Sequence, residues 1–290
     1  MSNLPPTVFS FGETLVDVFE GHRAIGGGSL NFAWYLAMLG VPVTIVSAVG
    51  PDELGLEIKN FLTAAGVDIS FIIDRPEPTG TVDVAIVDGE PKFKINDSAW
   101  DHIDLVRIPE TAPEMIYFGT VAQRRSANRQ ALRKLLACNP KHRFYDVNLR
   151  EGYYTTDLLG PLLSEATILK LTDEEFEIIA KWGAFNSIQD LMGEYDIEIV
   201  ALTKGEHGAD LYVDGKKYTH PGVKVDVSNV VGAGDAFSGV LGVGILLGVE
   251  AEKCLNAACI AGATVVQYPS AHIPPGTDVR TLLGIESESE

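Results

Sequence analysis

Cysteine is scarce in this chain of 290 residues: Cys138, Cys254 and Cys259 are an odd number with no C-x-x-C pair. That excludes a disulfide framework and the usual structural zinc spacings, and it suits a reducing compartment. Positive charge is scarce as well. With 22 Lys and Arg against 40 Asp and Glu, the formal charge is −18, which argues against a nucleic-acid binder, whose phosphate contacts need clustered Lys and Arg, and against attachment to anionic lipid. No apolar run is long enough for a membrane span. The most apolar stretch, residues 236–249, lies between Asp235 and Glu250 and carries four glycines; it falls short of the about 20 residues a span requires and reads as a buried helix. Residues 1–7 lack the basic and apolar regions of a secretory signal, so a cytoplasmic location is expected. The P-loop spelling G-x-x-x-x-G-K-[ST] is absent. The dinucleotide spelling G-x-G-x-x-G also fails twice, at Asn31 and at Phe237. The histidines, His102 and His207 among them, show no metal-ligand spacing.

What is present is a strand-helix rhythm. Residues 43–49 are β-branched and apolar, and residues 52–65 place Leu54, Ile58, Phe61 and Leu62 at helical spacing before Gly66. The unit recurs with strands at 115–118, 144–147, 167–171 and 198–202 and helices at 128–137, near Thr156 and at 173–181. Such alternation predicts an α/β fold: a three-layer, doubly wound, mostly parallel sheet in one domain over residues 1–290. Two hairpins interrupt it. Residues 81–87 and 92–95 flank Asp88-Gly89, and residues 209–213 and 216–219 flank Asp214-Gly215. The first hairpin, outside the βα rhythm, predicts a small lid over residues 80–97 together with 15–25.

The sharpest local signal is Gly232-Ala233-Gly234-Asp235, after the β-branched residues 223–227 and before the apolar helix. Two glycines at a helix start let backbone N–H groups approach an anion closely. The adjacent carboxylate suits a general base for an attacking hydroxyl; its alternative reading is a dipole-stabilising acid in a first helical turn.

These residues resemble the C-terminal signature of the PfkB (ribokinase-like) carbohydrate kinases, and Gly26-Gly27-Gly28-Ser29-Leu30-Asn31-Phe32-Ala33 resembles their N-terminal signature. Further similarity runs through Gly12-Glu13 with Asp17 on the first strand, Pro78-Thr79-Gly80, Asp146-Val147-Asn148-Leu149-Arg150, residues 170–175, Thr203-Lys204-Gly205 and Gly208, and so covers essentially the whole chain. The resemblance implies an ATP- and Mg²⁺-dependent sugar kinase. In it Asp235 is the base, and the amides of Gly232, Ala233 and Gly234 stabilise the transferring phosphoryl group. Asp17, Gly27, Gly28 and Asn31 would hold the sugar, with Arg124 and Arg150 facing substrate or nucleotide phosphate, although a surface arginine at a helix start is the alternative for both. Lys170, Thr203, Gly205, Gly208 and Asn256 would serve the nucleotide. Glu175 would act on the metal through water, whereas Thr172 followed by Glu175 also spells an N-cap with acids in the first turn. Lys204 has a solvated reading.

The motif at residues 12–17, together with residues 118–124 and 146–150, is most similar to bacterial fructokinases, with 2-keto-3-deoxygluconate kinase as the nearest rival. A binding relative without catalysis and a Rossmann-type oxidoreductase are the readings from other classes, the latter without its glycine fingerprint. Two departures from the family stand out: Thr172 replaces an asparagine, and Asn229-Val230 replaces the Asp-Thr of a monovalent-cation loop. Turnover is therefore expected to change little when potassium replaces tetramethylammonium. The implied partners are a small sugar and ATP, with no nucleic acid or membrane, and a second copy of the chain paired through the lid edges. Trp34 and Tyr35 read as core, and Phe93 and Trp100 either cap a sugar face or pack the lid.

Overall fold

In the central sheet, alternate side chains of each strand enter opposite cores. Met115 and Tyr117 of one strand face the first core, while Ile116 and Phe118 face the second. This is the period-two consequence of the pleat in a sheet covered on both sides. The computed structural model describes residues 7–285 except 88–89, 106, 110, 229–230 and 275–278, with side chains described outside 85–93.

In chain order the elements are β1 (Val8–Phe11), β2 (Leu15–Phe19), β3 (His22–Gly26), α1 (Gly28–Met38), β4 (Val43–Val49), α2 (Glu53–Ala64), β5 (Asp68–Asp74), β6 (Gly80–Val87), β7 (Glu90–Ile95), β8 (Met115–Gly119), α3 (Ser126–Leu136), β9 (His142–Asp146), α4 (Thr156–Leu163), β10 (Ile168–Thr172), α5 (Asp173–Gly183), α6 (Ile188–Tyr195), β11 (Ile199–Thr203), β12 (Ala209–Val213), β13 (Lys216–His220), α7 (Ala233–Leu246), α8 (Ala251–Val265) and α9 (Val279–Leu282). Nine strands form the central sheet in the order β13-β12-β11-β10-β9-β8-β1-β4-β5. The pairs from β5 to β11 are parallel, and β12 and β13 close the edge antiparallel. Helices α1, α2, α7 and α8 cover one face and α3, α4, α5 and α6 the other.

The expected α/β architecture is present, with boundaries within a few residues of the periodicity. Residues 223–227 form no strand despite their β-branched composition. Asp17 does not lie on the first strand of the central sheet. The chain leaves that sheet at Phe11, Gly12 adopts φ +149°, and Asp17 belongs to β2 in a second, four-stranded sheet ordered β3-β2-β6-β7. Within this small sheet, β2 pairs parallel with β6, from Leu15 opposite Gly80 to Val18 opposite Asp83. Its underside, Leu15, Val82, Val84 and Ile95, packs on Trp100 and Val121. Trp100 is fully buried there, packed beneath the small sheet. Trp34 and Tyr35 are core. Phe93 and the turn at Asp88-Gly89 lie outside the described side chains and residues, respectively. No helix among the described residues is long and apolar enough to cross a membrane.

Candidate active site

Because β1, β8, β9, β10 and β11 run parallel, the loops leaving their C-terminal ends share one rim of the sheet, where open α/β sheets bind ligands. Glu13 follows β1, Arg150 follows β9, and Thr172 and Thr203 end β10 and β11 opposite one another. Helices α1 and α7 pack together and bring their N-termini to this rim.

Gly27 precedes α1 at φ +111°, and a Cβ there would lie 2.6 Å from the Glu13 carbonyl oxygen; the left-handed turn and the close approach both require glycine. Asn31, one turn into α1, donates through Nδ2 to Asp235 Oδ2 at 2.6 Å. Asp235 stands in the first turn of α7, whose N-cap Gly232 is left-handed at φ 88°. Burial pushes its carboxyl above the ordinary range; the Asn31 bond opposes the shift, Asp146 adds to it, and Lys170 and Arg150 oppose it.

Beneath the glycines lies a buried polar network. Lys170 Nζ pairs with Asp146 Oδ1 at 3.1 Å, and Asp146 Oδ2 accepts from Ser238 Oγ at 2.8 Å and from the Tyr117 hydroxyl at 3.3 Å. A Cβ on Gly234 would lie 3.0 Å from Lys170 Nζ. An ammonium thus sits beside the first turn of α7, whose leading N–H groups have no partner within the helix, and both favour an incoming anion. Burial tends to lower the Lys170 pKa, but the charges of Asp146, Glu175 and Asp235 together with the Asp146 bond hold the group above the ordinary lysine value. Asp146, Tyr117 and Ser238 were not assigned roles from sequence. The available signals were polar groups inside apolar runs, at Tyr117 within β8 and Ser238 within α7.

At the start of α1, Glu13 Oε1 accepts from the Gly28 amide at 3.0 Å, and its Oε2 is buried with no hydrogen-bond partner among the described residues. Burial raises Glu13 to about 7; its own backbone amide opposes this and the charge of Asp235 adds to it. Burial and Asp235 likewise raise Asp17 to about 7, with Arg150 opposing. Both groups bind protons in the folded state that the unfolded chain releases. Their stabilising effect is full at pH values below the unfolded carboxylate range, and it is lost as pH rises towards about 7. Thermal stability should therefore fall between pH 5 and pH 8. Glu13→Gln keeps an oxygen for Gly28 and should remove a pH-dependent part on the order of 2–3 kcal/mol, read by calorimetry at the two pH values.

The other sequence-derived candidates take the following positions. Arg124 is held by Asp101 through Nε at 2.6 Å and Nη2 at 2.5 Å. Glu175 closes a capping box with Thr172: its Oε2 accepts from Thr172 N at 2.9 Å and its Oε1 from Leu149 N at 2.6 Å, while Thr172 Oγ1 accepts from Glu175 N. Thr203 ends β11, and Gly205 and Gly208 bound the short turn after it. Lys204 pairs with Asp210 at 3.0 Å. Asn256 is half-buried on α8, the penultimate helix, which packs against β12 and β13. Asn229 and Val230 lie outside the described residues. No group of three or more metal-ligating side chains occurs among the described residues. Both Glu175 oxygens are thus engaged by backbone amides.

The family model described as pfkB family carbohydrate kinase matches residues 4–277. The chain belongs to the pfkB family of carbohydrate kinases. A fructokinase of Rhizobium leguminosarum bv. trifolii is 25% identical over 265 residues, covering 84% of this chain and 80% of that protein. The 2-dehydro-3-deoxygluconokinase of Thermoproteus tenax is 27% identical over 268 residues, covering 87% of this chain and 81% of its own. A fructokinase from Xylella fastidiosa, solved with bound ATP, superimposes with a TM-score of 0.87 at 21% identity, covering 97% and 99% of the two chains. The pfkB chain thus has the ribokinase-like fold and is a phosphotransferase acting on sugar.

Proposed function

We propose that this pfkB-family kinase transfers the γ-phosphoryl group of ATP to fructose, giving fructose 6-phosphate. The observation that supports it most directly is the joining of Asp235 to Asn31 above the Lys170–Asp146 pair. A base, an acceptor-side amide and a buried cation meet at one helix start. Asp235 takes the proton of the attacking hydroxyl, and the amides of Gly232, Ala233 and Gly234 with Lys170 behind them stabilise the charge moving through the phosphoryl group. Asp17, Gly27, Gly28, Asn31 and Arg150 hold the sugar. Thr203, Gly205, Gly208 and Asn256 serve the nucleotide. Mg²⁺ carried by the nucleotide would offset phosphate charge.

An uncharged acceptor fits better than a keto-acid. The charge of Asp235 bears on both Glu13 and Asp17, with the guanidinium of Arg150 opposing it at each, and an acidic sugar would add a further anion at low dielectric. A cytoplasmic location and a homodimer paired through the open lid edges β3 and β7 complete the reading. ADP release from MgATP with fructose, ribose, adenosine or 2-keto-3-deoxygluconate tests it. Turnover is expected on fructose. Turnover on the keto-acid alone would move the substrate, and silence with retained ATP binding would mark a binding relative.

A further inference from the structure

Arg124 has no charge to spare for an acceptor. Its fork grips both oxygens of Asp101, which is fully buried, and its Nη2 also donates to the Asn96 carbonyl at 3.1 Å. Asp101 Oδ2 accepts in addition from Ser98 N at 3.1 Å. Asn96 and Ser98 lie on the chain leaving β7, so the guanidinium clamps the point where the lid rejoins the central domain. The central carbon of the same guanidinium lies over the Trp100 ring, 4.6 Å from its centroid, and over the Tyr153 ring, 5.4 Å from its centroid. Tyr153 connects the clamp to both sides of the site. Its hydroxyl accepts from Ile95 N, the last residue of β7, at 2.8 Å, and its own amide closes a turn on the Arg150 carbonyl at 2.9 Å. Trp100, Ile95 and Tyr153 also share the small apolar cluster under the lid.

We propose that Arg124 is a positioning residue that ties the lid to the Arg150 segment, so that the lid cannot move over the acceptor without carrying Arg150 with it. The proposal rests on the kinase reading of the site. A planar, stacked, bidentate arginine is the side chain suited to hold a carboxylate and two rings in one geometry; a lysine offers a point charge without the fork or the stacking face. The tie matters chemically because phosphoryl transfer competes with water, and a cover that closes out of step with the acceptor admits it.

The test compares wild type, Arg124→Lys and Tyr153→Phe. Tyr153→Phe removes only the hydroxyl that meets Ile95 and leaves the ring under the guanidinium. MgATP hydrolysis without acceptor and transfer to fructose are measured on each. Both variants are expected to raise the ratio of hydrolysis to transfer several-fold and to raise the KM for fructose, with the KM for MgATP unchanged. A purely structural role would lower both rates with the folded fraction and leave the ratio unchanged, which would overturn the proposal. Should wild type phosphorylate no sugar, the kinase reading fails on its own. The tie is then read on the unliganded protein by hydrogen exchange: several-fold faster exchange of the β6 amides in both variants supports it, and unchanged exchange refutes it.

Discussion

Asp235→Asn is expected to abolish most phosphoryl transfer, with kcat falling by about 10²–10⁴-fold, the range supplied by a positioned general base. The amide is nearly isosteric, and its oxygen can still accept from Asn31 Nδ2, the bond that joins α1 to α7. The fold and the affinity for MgATP should survive. The carboxylate is held above its ordinary range by burial, so the wild-type rate should fall on the acid side at a higher pH than a free aspartate would give. In the variant that limb should vanish along with the activity. A kcat within threefold of wild type would remove Asp235 from the mechanism.

A second large effect is expected at Asp146, through Lys170. Asp146→Asn leaves a buried ammonium without its counter-ion, a change that costs about 3–5 kcal/mol when one partner of a buried pair is removed. The wild-type pair holds Lys170 above its ordinary value. The stability it provides is therefore complete below the unfolded lysine pKa and is lost only as pH rises through the folded one. Without Asp146 the largest of the charges that raise it is lost, and the Lys170 pKa drops. The variant should show a lowered Tm and an alkaline limb of kcat displaced to lower pH, both measurable against wild type. A lowered Tm with the limb unmoved would confine Asp146 to a structural role.

The two glycine signatures were legible in the sequence because close backbone approach to a ligand has few other spellings. The structure brings Gly27, Gly28, Asn31 and Asp235 together across some two hundred residues of chain. The Lys170–Asp146 pair was less legible. The two residues are direct partners across β9 and β10, and register between strands separated by a helix is set by packing rather than by any local pattern. Residue 175 had two readings with one spelling, since Thr-x-x-Glu before an apolar helix is a capping box whatever else the acid does; in the folded chain both Glu175 oxygens meet backbone amides. Asp17 was misplaced because it was read, with Gly12-Glu13, on one first strand. The left-handed Gly12 divides it between two sheets.

The parallel pairing of β2 with β6 also has a kinetic consequence. Each lid hairpin is local, but the ladder that joins them brackets all of α1, β4, α2 and β5. Closing that loop early would carry an entropic penalty with no intervening structure to offset it. On refolding, the lid ladder is therefore the late step. A mutation confined to it, such as Val82→Ala, should speed unfolding while leaving the folding rate nearly unchanged.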